Sequence, residues 1–116
     1  MKRMRVTVDE ADVDLVVILN DSETAAALWA ALPIDSAAQT WGEEVYFTIP
    51  VERGPEDAQA SLALGAVGYW PPGNALCLFF GQQPVSPVNL VGVIEDDPSV
   101  LAAVCDRQTV RLERSE

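Results

Sequence analysis

The stretch GYWPPGNALCLFFG, residues 68–81, decides the fold because it places a strong turn signal between two apolar runs. Proline fixes its own φ, and glycine or asparagine accepts a positive φ, so residues 71–74 predict a tight turn. The flanking residues 66–70 and 75–80 are rich in aromatic and aliphatic side chains, which favour strands. The stretch therefore predicts a β-hairpin.

The rest of the sequence predicts more strands and two helices. Valine-rich or alternating runs indicate strands, and the apolar residues between 25 and 32 recur at the spacing of a helix that Pro33 closes. Residues 52–65 form the longest irregular connection, with room for one helical turn near 56–60. The predicted strands are 3–8, 12–19, 34–40, 43–49, 66–70, 75–80, 88–94 and 109–113, and the predicted helices are 22–32 and 98–104.

The segment 43–49 shows the alternation of a half-buried strand most clearly. Its residues Val45, Phe47 and Ile49 share one face, while Glu44 and Tyr46 share the other. Because adjacent strand residues point to opposite faces, the neighbouring carboxylates 43 and 44 cannot act together on one substrate bond. Glu44 is either a group that orients a ligand amine or a solvated strand residue.

The number and shortness of the strands predict a mainly β fold, organised as a single domain over residues 1–116. Eight strands and two helices in 116 residues are best accommodated in a closed barrel, since closure leaves no exposed strand edge. In this arrangement the helices cap the ends of the barrel. An open sandwich is the alternative.

Charge and composition exclude several classes of partner. A net charge of -11 disfavours nucleic acid and anionic lipid surfaces, because such partners are bound by Lys and Arg. No apolar run approaches the ~20 residues of a membrane-spanning helix, and no secretory signal is evident, so we expect a soluble, cytoplasmic protein. Cys77 and Cys105 lack the spacing of a thiol or zinc motif and are expected to be buried, free thiols.

Neither a cofactor nor a metal is predicted. The sequence has no Walker glycine loop, no dinucleotide fingerprint and no serine elbow, so no cofactor site or known catalytic motif is indicated. Asp96 and Asp97 precede Pro98 at a predicted helix start, where negative charge is favoured. A calcium site is the rival interpretation, but the spaced oxygen ligands of an EF-hand loop are absent.

Three segments resemble one known family: WGEEVYFTIP at 41–50, the hairpin at 68–81, and VNLVGVI at 88–94. They are similar to the small bacterial and archaeal proteins of unassigned function that have a cyclophilin-like fold. The resemblance implies a closed eight-stranded barrel with a helix at each end. It also raises the question of prolyl isomerisation, which cyclophilins catalyse with an apolar groove and an arginine.

When the cyclophilin motifs are overlaid on this sequence, apolar residues stand where the polar groups of that reaction are expected. Phe47 stands where the catalytic arginine is expected, Leu78 where a glutamine is expected, and Val88 where a histidine is expected, while Phe80 keeps a groove aromatic. A weak prolyl isomerase, in which Arg53 replaces the missing arginine, is therefore the alternative function. Near relatives are expected to have a longer loop at 82–87, so the sequence leaves open whether one groove wall is present.

The preferred interpretation is a non-enzymatic module that binds an unidentified small apolar molecule or an extended peptide in an aromatic groove. Aromatic faces give a large contact area at little entropic cost. A rigid hairpin corner with barrel-core aromatics is the alternative, and an apolar hairpin tip is also suited to a homodimer contact. The predicted ligand-binding residues are Glu44, Tyr46, Tyr69, Trp70, Pro71 and Phe80.

Overall fold

The computed structural model describes residues 2–115, so Met1 and Glu116, the ends of the predicted domain, lie outside the described residues. The described residues form one nine-stranded sheet and one α helix, α1. Three 3-10 turns lie at Asp9–Ala11, Pro71–Gly73 and Pro98–Ala103. The strands are β1 Arg3–Val8, β2 Val13–Leu19, β3 Ile34–Ala37, β4 Gln39–Trp41, β5 Glu44–Thr48, β6 Ala66–Trp70, β7 Ala75–Phe79, β8 Asn89–Ile94 and β9 Thr109–Arg114, and α1 is Glu23–Ala31.

The strand order shows that the sheet curls into a nearly closed barrel. The order is β3-β9-β1-β2-β8-β6-β7-β5-β4, with antiparallel pairing throughout. Because β3 and β4 follow each other in the chain yet lie at opposite ends of this order, the segment around Ala38 joins the two ends. Ser36 Oγ also donates across the gap to the Thr48 carbonyl at 2.7 Å. The predicted mainly β barrel is confirmed, but it is nearly closed rather than closed, and the open sandwich is not the fold.

The predicted count of eight strands is wrong by one, because the predicted strand 34–40 changes partner in its middle. Before Ala38 the segment pairs with β9, and after it with β5. At the change, Ala38 N donates to the Gln108 carbonyl at 2.8 Å. A single run of sequence therefore supplies β3 and β4.

The helical content is also smaller than predicted. The first helix is present, and Ser22 Oγ caps it by accepting from Ala25 N at 3.1 Å. The predicted second helix at 98–104 is only the 3-10 turn 98–103, in which Val104 N bonds the Leu101 carbonyl three residues back. No helical turn forms at 56–60, because Gln59 and Val88 exchange backbone hydrogen bonds of 2.8 and 3.0 Å instead.

The hairpin that opened the sequence argument forms between β6 and β7, with Tyr69 opposite Leu76 and Trp70 opposite Ala75. Its turn ends at Asn74, which takes the expected positive φ of 48°. Asn74 N closes the turn onto the Pro71 carbonyl at 3.3 Å. The predicted hairpin and its turn residues are thus confirmed.

The barrel interior is the main core, and the predicted inward face of β5 lies in it. Val45, Phe47 and Ile49 are buried there, together with Leu28 of α1. The sheet also carries a second apolar cluster on its outer face, under the connections 52–65 and 82–87. This outer cluster consists of Leu62, Ala66, Cys77, Phe79 and Val88, with Tyr46, Trp70 and Leu90 packed against it.

The two cysteines differ from each other, which the sequence did not predict. Cys77 is buried and free, as expected, but Cys105 is exposed, because it follows the last 3-10 turn at the surface. Among the helices of residues 2–115, none is long and apolar enough to cross a membrane.

Candidate ligand-binding site

A cavity of about 260 Å³ lies over the outer cluster, on the side of the sheet opposite the barrel interior. Strand residues form its floor, and the connection between β7 and β8 forms one wall. Most of its surface is aromatic or aliphatic. The lining residues are Trp41, Glu44, Tyr46, Trp70, Cys77, Phe79, Pro84, Val85, Ser86 and Val88.

The floor follows from the two-residue period of the strands. Glu44 and Tyr46 are two apart on β5, and they pair with Phe79 and Cys77, which are two apart on β7. Side chains at such positions point to the same face of a sheet. Four floor residues therefore converge without any irregularity in the backbone.

The short connection 82–87 supplies a wall, so the question that the sequence left open is answered. Pro84, Val85 and Ser86 line the cavity. Trp70 Nε1 donates to Ser86 Oγ at 2.6 Å, which ties the wall to β6. Gln83 adds a second anchor, because its amide accepts from Leu62 N at 2.7 Å and donates to the Leu62 carbonyl at 2.9 Å.

Gln82 anchors the start of this wall to the turn between β4 and β5. Its Oε1 accepts from Glu43 N at 2.7 Å. Gly42 is required beneath it: φ is +58° there, and a Cβ would lie 1.9 Å from Gln82 Oε1.

Glu44 places a carboxyl group in this apolar floor. Its side chain is only 7% exposed, and burial raises its pKa because the charged form loses water. The neighbouring Cys77 thiol and Gln82 amide act in the opposite direction by hydrogen bonding to the carboxyl. Glu44 is thus the one acidic side chain among the described residues that line the cavity.

Cys77 contributes an inert thiol to the site. Burial raises its pKa strongly, and the nearby Glu44 charge raises it further. Because the thiolate is the reactive form, this cysteine is not an activated nucleophile. Its contribution to the floor is shape and a weak hydrogen bond.

Three of the six predicted binding residues meet at the cavity: Glu44, Tyr46 and Trp70. The other three lie elsewhere. Tyr69 is 0% exposed, because it points from β6 into the barrel, where its hydroxyl donates to the Val51 carbonyl at 2.5 Å. Pro71 lies in the hairpin turn, and Phe80 packs against the main core.

Several lining residues were not predicted. Cys77, Phe79 and Trp41 lie on the same face of the sheet as Glu44. Strand alternation, together with the pairing of residue 41 with residue 44, indicates this shared face. Pro84 and Val85 carry no such signal, because their position depends on contacts made by a connection without regular structure.

Of the four residues that the cyclophilin overlay singled out, Val88 lines the cavity, whereas Phe47, Leu78 and Phe80 do not. Phe47, placed at the catalytic arginine, is 0% exposed and lies inside the barrel. Arg53, the proposed substitute, pairs with Glu23 at 3.0 Å and lines a separate groove with Glu52 and Glu56. Among the described residues that line the cavity, none is basic.

The barrel and its outer-face cavity define a cyclophilin-like domain, and the chain belongs to the cyclophilin-like family, whose model matches residues 2–113. No curated protein matches the chain.

Two solved structures share the fold. The hypothetical protein AF2241 from Archaeoglobus fulgidus, known from a solution structure, is 36% identical, with a TM-score of 0.82 over 98% of this chain and 95% of that one. McbB, solved in complex with tryptophan, is 15% identical, with a TM-score of 0.81 over 97% of this chain. The match covers 44% of McbB, and at that identity it shows the fold alone.

Proposed function

We propose that this protein is a non-enzymatic binding domain that holds a small, flat, mostly apolar molecule in the outer-face cavity. The observation that carries the proposal is a cavity of about 260 Å³ with aromatic walls and one buried carboxyl, Glu44, in its floor. Ligand pockets are typically apolar concavities with a few polar groups that fix orientation. This cavity has that composition.

The chemistry of the floor favours a ligand with one hydrogen-bond donor. The Glu44 carboxyl has oxygen atoms that accept hydrogen bonds in either protonation state, and its buried position makes an unpaired charge costly. A ligand N–H or O–H therefore gains most where it meets this carboxyl. Trp41, Tyr46 and Trp70 supply ring faces for stacking around it.

A small molecule suits the cavity better than an extended peptide. The cavity is bounded on one side by the anchored connection 82–87, so a peptide would enter it through one side chain. McbB, part of which shares this fold, was solved in complex with tryptophan, which is a small aromatic molecule. A peptide that inserts an aromatic side chain is the alternative ligand, and its affinity is to be compared with that of the small molecule.

The test uses N-phenylnaphthylamine, an uncharged fluorescent probe with aromatic rings and a single N–H. Trp41 and Trp70 line the cavity, while Trp29 lies on α1. In a Trp29→Phe background, all intrinsic tryptophan fluorescence therefore comes from the two cavity residues. We expect saturable probe emission and quenching of the two cavity tryptophans. Trp70→Ala should weaken binding at least about tenfold, since buried aromatic contacts commonly exceed 1.4 kcal/mol.

Trp29→Ala, made in the otherwise native chain and read by probe emission alone, is the matched control, because it makes the same truncation outside the cavity. Circular dichroism of both variants separates lost binding from lost folding. If the probe binds without saturation, or if both truncations weaken it equally, the cavity is not the binding site.

A further inference from the structure

A second groove adjoins the cavity at the place where the barrel closes, and Tyr46 lines both. This closure groove has a volume of about 460 Å³ and is open to solvent on one side. Unlike the cavity, it has a charged wall. Its lining residues are Ala37, Ala38, Gln39, Thr40, Tyr46, Asp106 and Arg107.

The charged wall is a turn fixed firmly to the barrel. Arg107 has a positive φ of 73°, and its N–H donates to the Ala38 carbonyl at 2.8 Å. Asp106 holds the turn from the other side, because its Oδ1 accepts from both Thr40 N and Thr40 Oγ1 at 2.8 Å. The backbone of Arg107 is therefore positioned beside the groove before any ligand arrives.

The Arg107 guanidinium differs from the other arginines. Within residues 2–115 it makes neither a side-chain hydrogen bond nor an ion pair, although Asp106 is its neighbour in the chain. The other five are engaged: Arg3 with Glu95, Arg5 with Asp14, Arg53 with Glu23, Arg111 with Asp35 and Glu113, and Arg114 with the Trp29 carbonyl. The charge of Arg107 acts on Asp106, whose pKa it helps to lower, but its guanidinium is left without a bonded partner in the groove.

We propose that Arg107 binds an acidic group of the ligand, so that the natural ligand is an amphiphile with an aromatic body and one oxyanion. This inference rests on the proposed function, because the aromatic body occupies the cavity. The oxyanion lies in the closure groove on the other side of Tyr46. Guanidinium groups pair well with carboxylate, sulfonate and phosphate groups, because each of these offers two oxygens to the paired N–H groups.

Glu44 reinforces the orientation of such a ligand. The described residues that line the cavity include no cation to pair with an anion, and an ionised Glu44 would repel a second anion there, since the interaction is weakly screened in a low dielectric. The acidic group of the ligand is thus excluded from the floor, whereas Arg107 attracts it at the groove. The two charges give the ligand one favoured direction.

The test compares two probes that differ only by an acidic group: N-phenylnaphthylamine and anilinonaphthalene sulfonate. Both are titrated against the native protein and against Arg107→Gln. We expect the substitution to weaken the sulfonate about threefold to fivefold, the range for an exposed ion pair, and to leave the uncharged probe unchanged. Added salt should weaken only the sulfonate in the native protein.

Arg111→Gln is the matched control, because it makes the same change in net charge on β9, where Arg111 pairs with Asp35. If Arg111→Gln lowers the affinity for the sulfonate as much as Arg107→Gln does, the effect arises from the overall charge of the protein, and the inference is overturned. An unchanged sulfonate affinity in Arg107→Gln overturns it as well. Failure of the uncharged probe to bind the native protein would instead remove the proposed function itself.

Discussion

The indole nitrogen of Trp70 donates a hydrogen bond to the hydroxyl of Ser86, with 2.6 Å between Nε1 and Oγ. The bond joins the end of β6 to the wall formed by 82–87, and both residues line the cavity. It is partly buried, so water competes for it weakly. The position of the wall depends on a side chain of the floor.

Ser86→Ala should therefore weaken ligand binding without removing any apolar surface from the cavity. A hydrogen bond of this kind contributes about 1 kcal/mol, so we expect a loss of about threefold to tenfold in affinity for N-phenylnaphthylamine. Hydrogen exchange of the 82–87 amides should also become faster. Ser61→Ala, an exposed position outside the cavity lining, is the control and should leave both quantities unchanged.

Glu44→Gln should change how stability depends on pH. Burial raises the folded-state pKa of Glu44 above its value of 4.5 in the unfolded chain. Its contribution to stability is therefore fully present below that value and is lost as pH rises through the folded-state pKa. Glutamine does not titrate, so the variant should gain stability relative to the native protein between about pH 4 and about pH 8.

Urea unfolding at both pH values measures this difference. Glu43→Gln makes the same change at the exposed neighbouring residue and is the matched control. A constant difference between native protein and Glu44→Gln across the range would show that the carboxyl is solvated in the folded state.

The fold could be predicted where local pattern decides it. The alternation of Val45 and Phe47 with Tyr46 correctly assigned the two faces of β5, because a strand has only two. The division of 34–40 could not be predicted. It depends on Ala38 meeting Gln108, a residue far along the chain, and no local propensity reports such a contact.

The candidate site could be predicted only in part, for a related reason. Tyr69 and Trp70 are adjacent aromatics, so only one of them can face the cavity. The usual guide is that the polar face is outside, but all of β7 is buried because the sheet has an apolar cluster on each side. The wall at 82–87 depends on side-chain bonds such as that of Ser86, which leave no periodic signal.

Asn89 should be the polar residue whose loss costs the most stability. It is 1% exposed and joins three elements: its Nδ2 donates to Thr24 Oγ1 at 3.1 Å and to the Gly54 carbonyl at 3.0 Å, and its Oδ1 accepts from Glu56 N at 2.8 Å. Asn89→Ala leaves buried partners unsatisfied. We expect the free energy of unfolding to fall by about 2 to 3 kcal/mol.

The matched control for this substitution is Asn20→Ala, at an exposed asparagine that donates to the Leu90 carbonyl at 2.7 Å. Water replaces its partners, so its loss should be about 1 kcal/mol or less. Urea unfolding curves of the two variants give both values. Equal losses would mean that the buried network around Asn89 adds nothing to an ordinary surface bond.

The chain should not accelerate prolyl isomerisation. Rotation about the peptide bond has an uncatalysed barrier of about 18 to 20 kcal/mol, and cyclophilins lower it with an arginine that hydrogen-bonds the substrate. Here no basic residue is among the described residues lining the cavity, and Phe47 lies inside the barrel. A protease-coupled assay on several Xaa-Pro peptides, run beside a true cyclophilin, should give the uncatalysed rate. Acceleration that disappears in Trp70→Ala would instead make the cavity an active site and require a catalytic group outside the cyclophilin pattern.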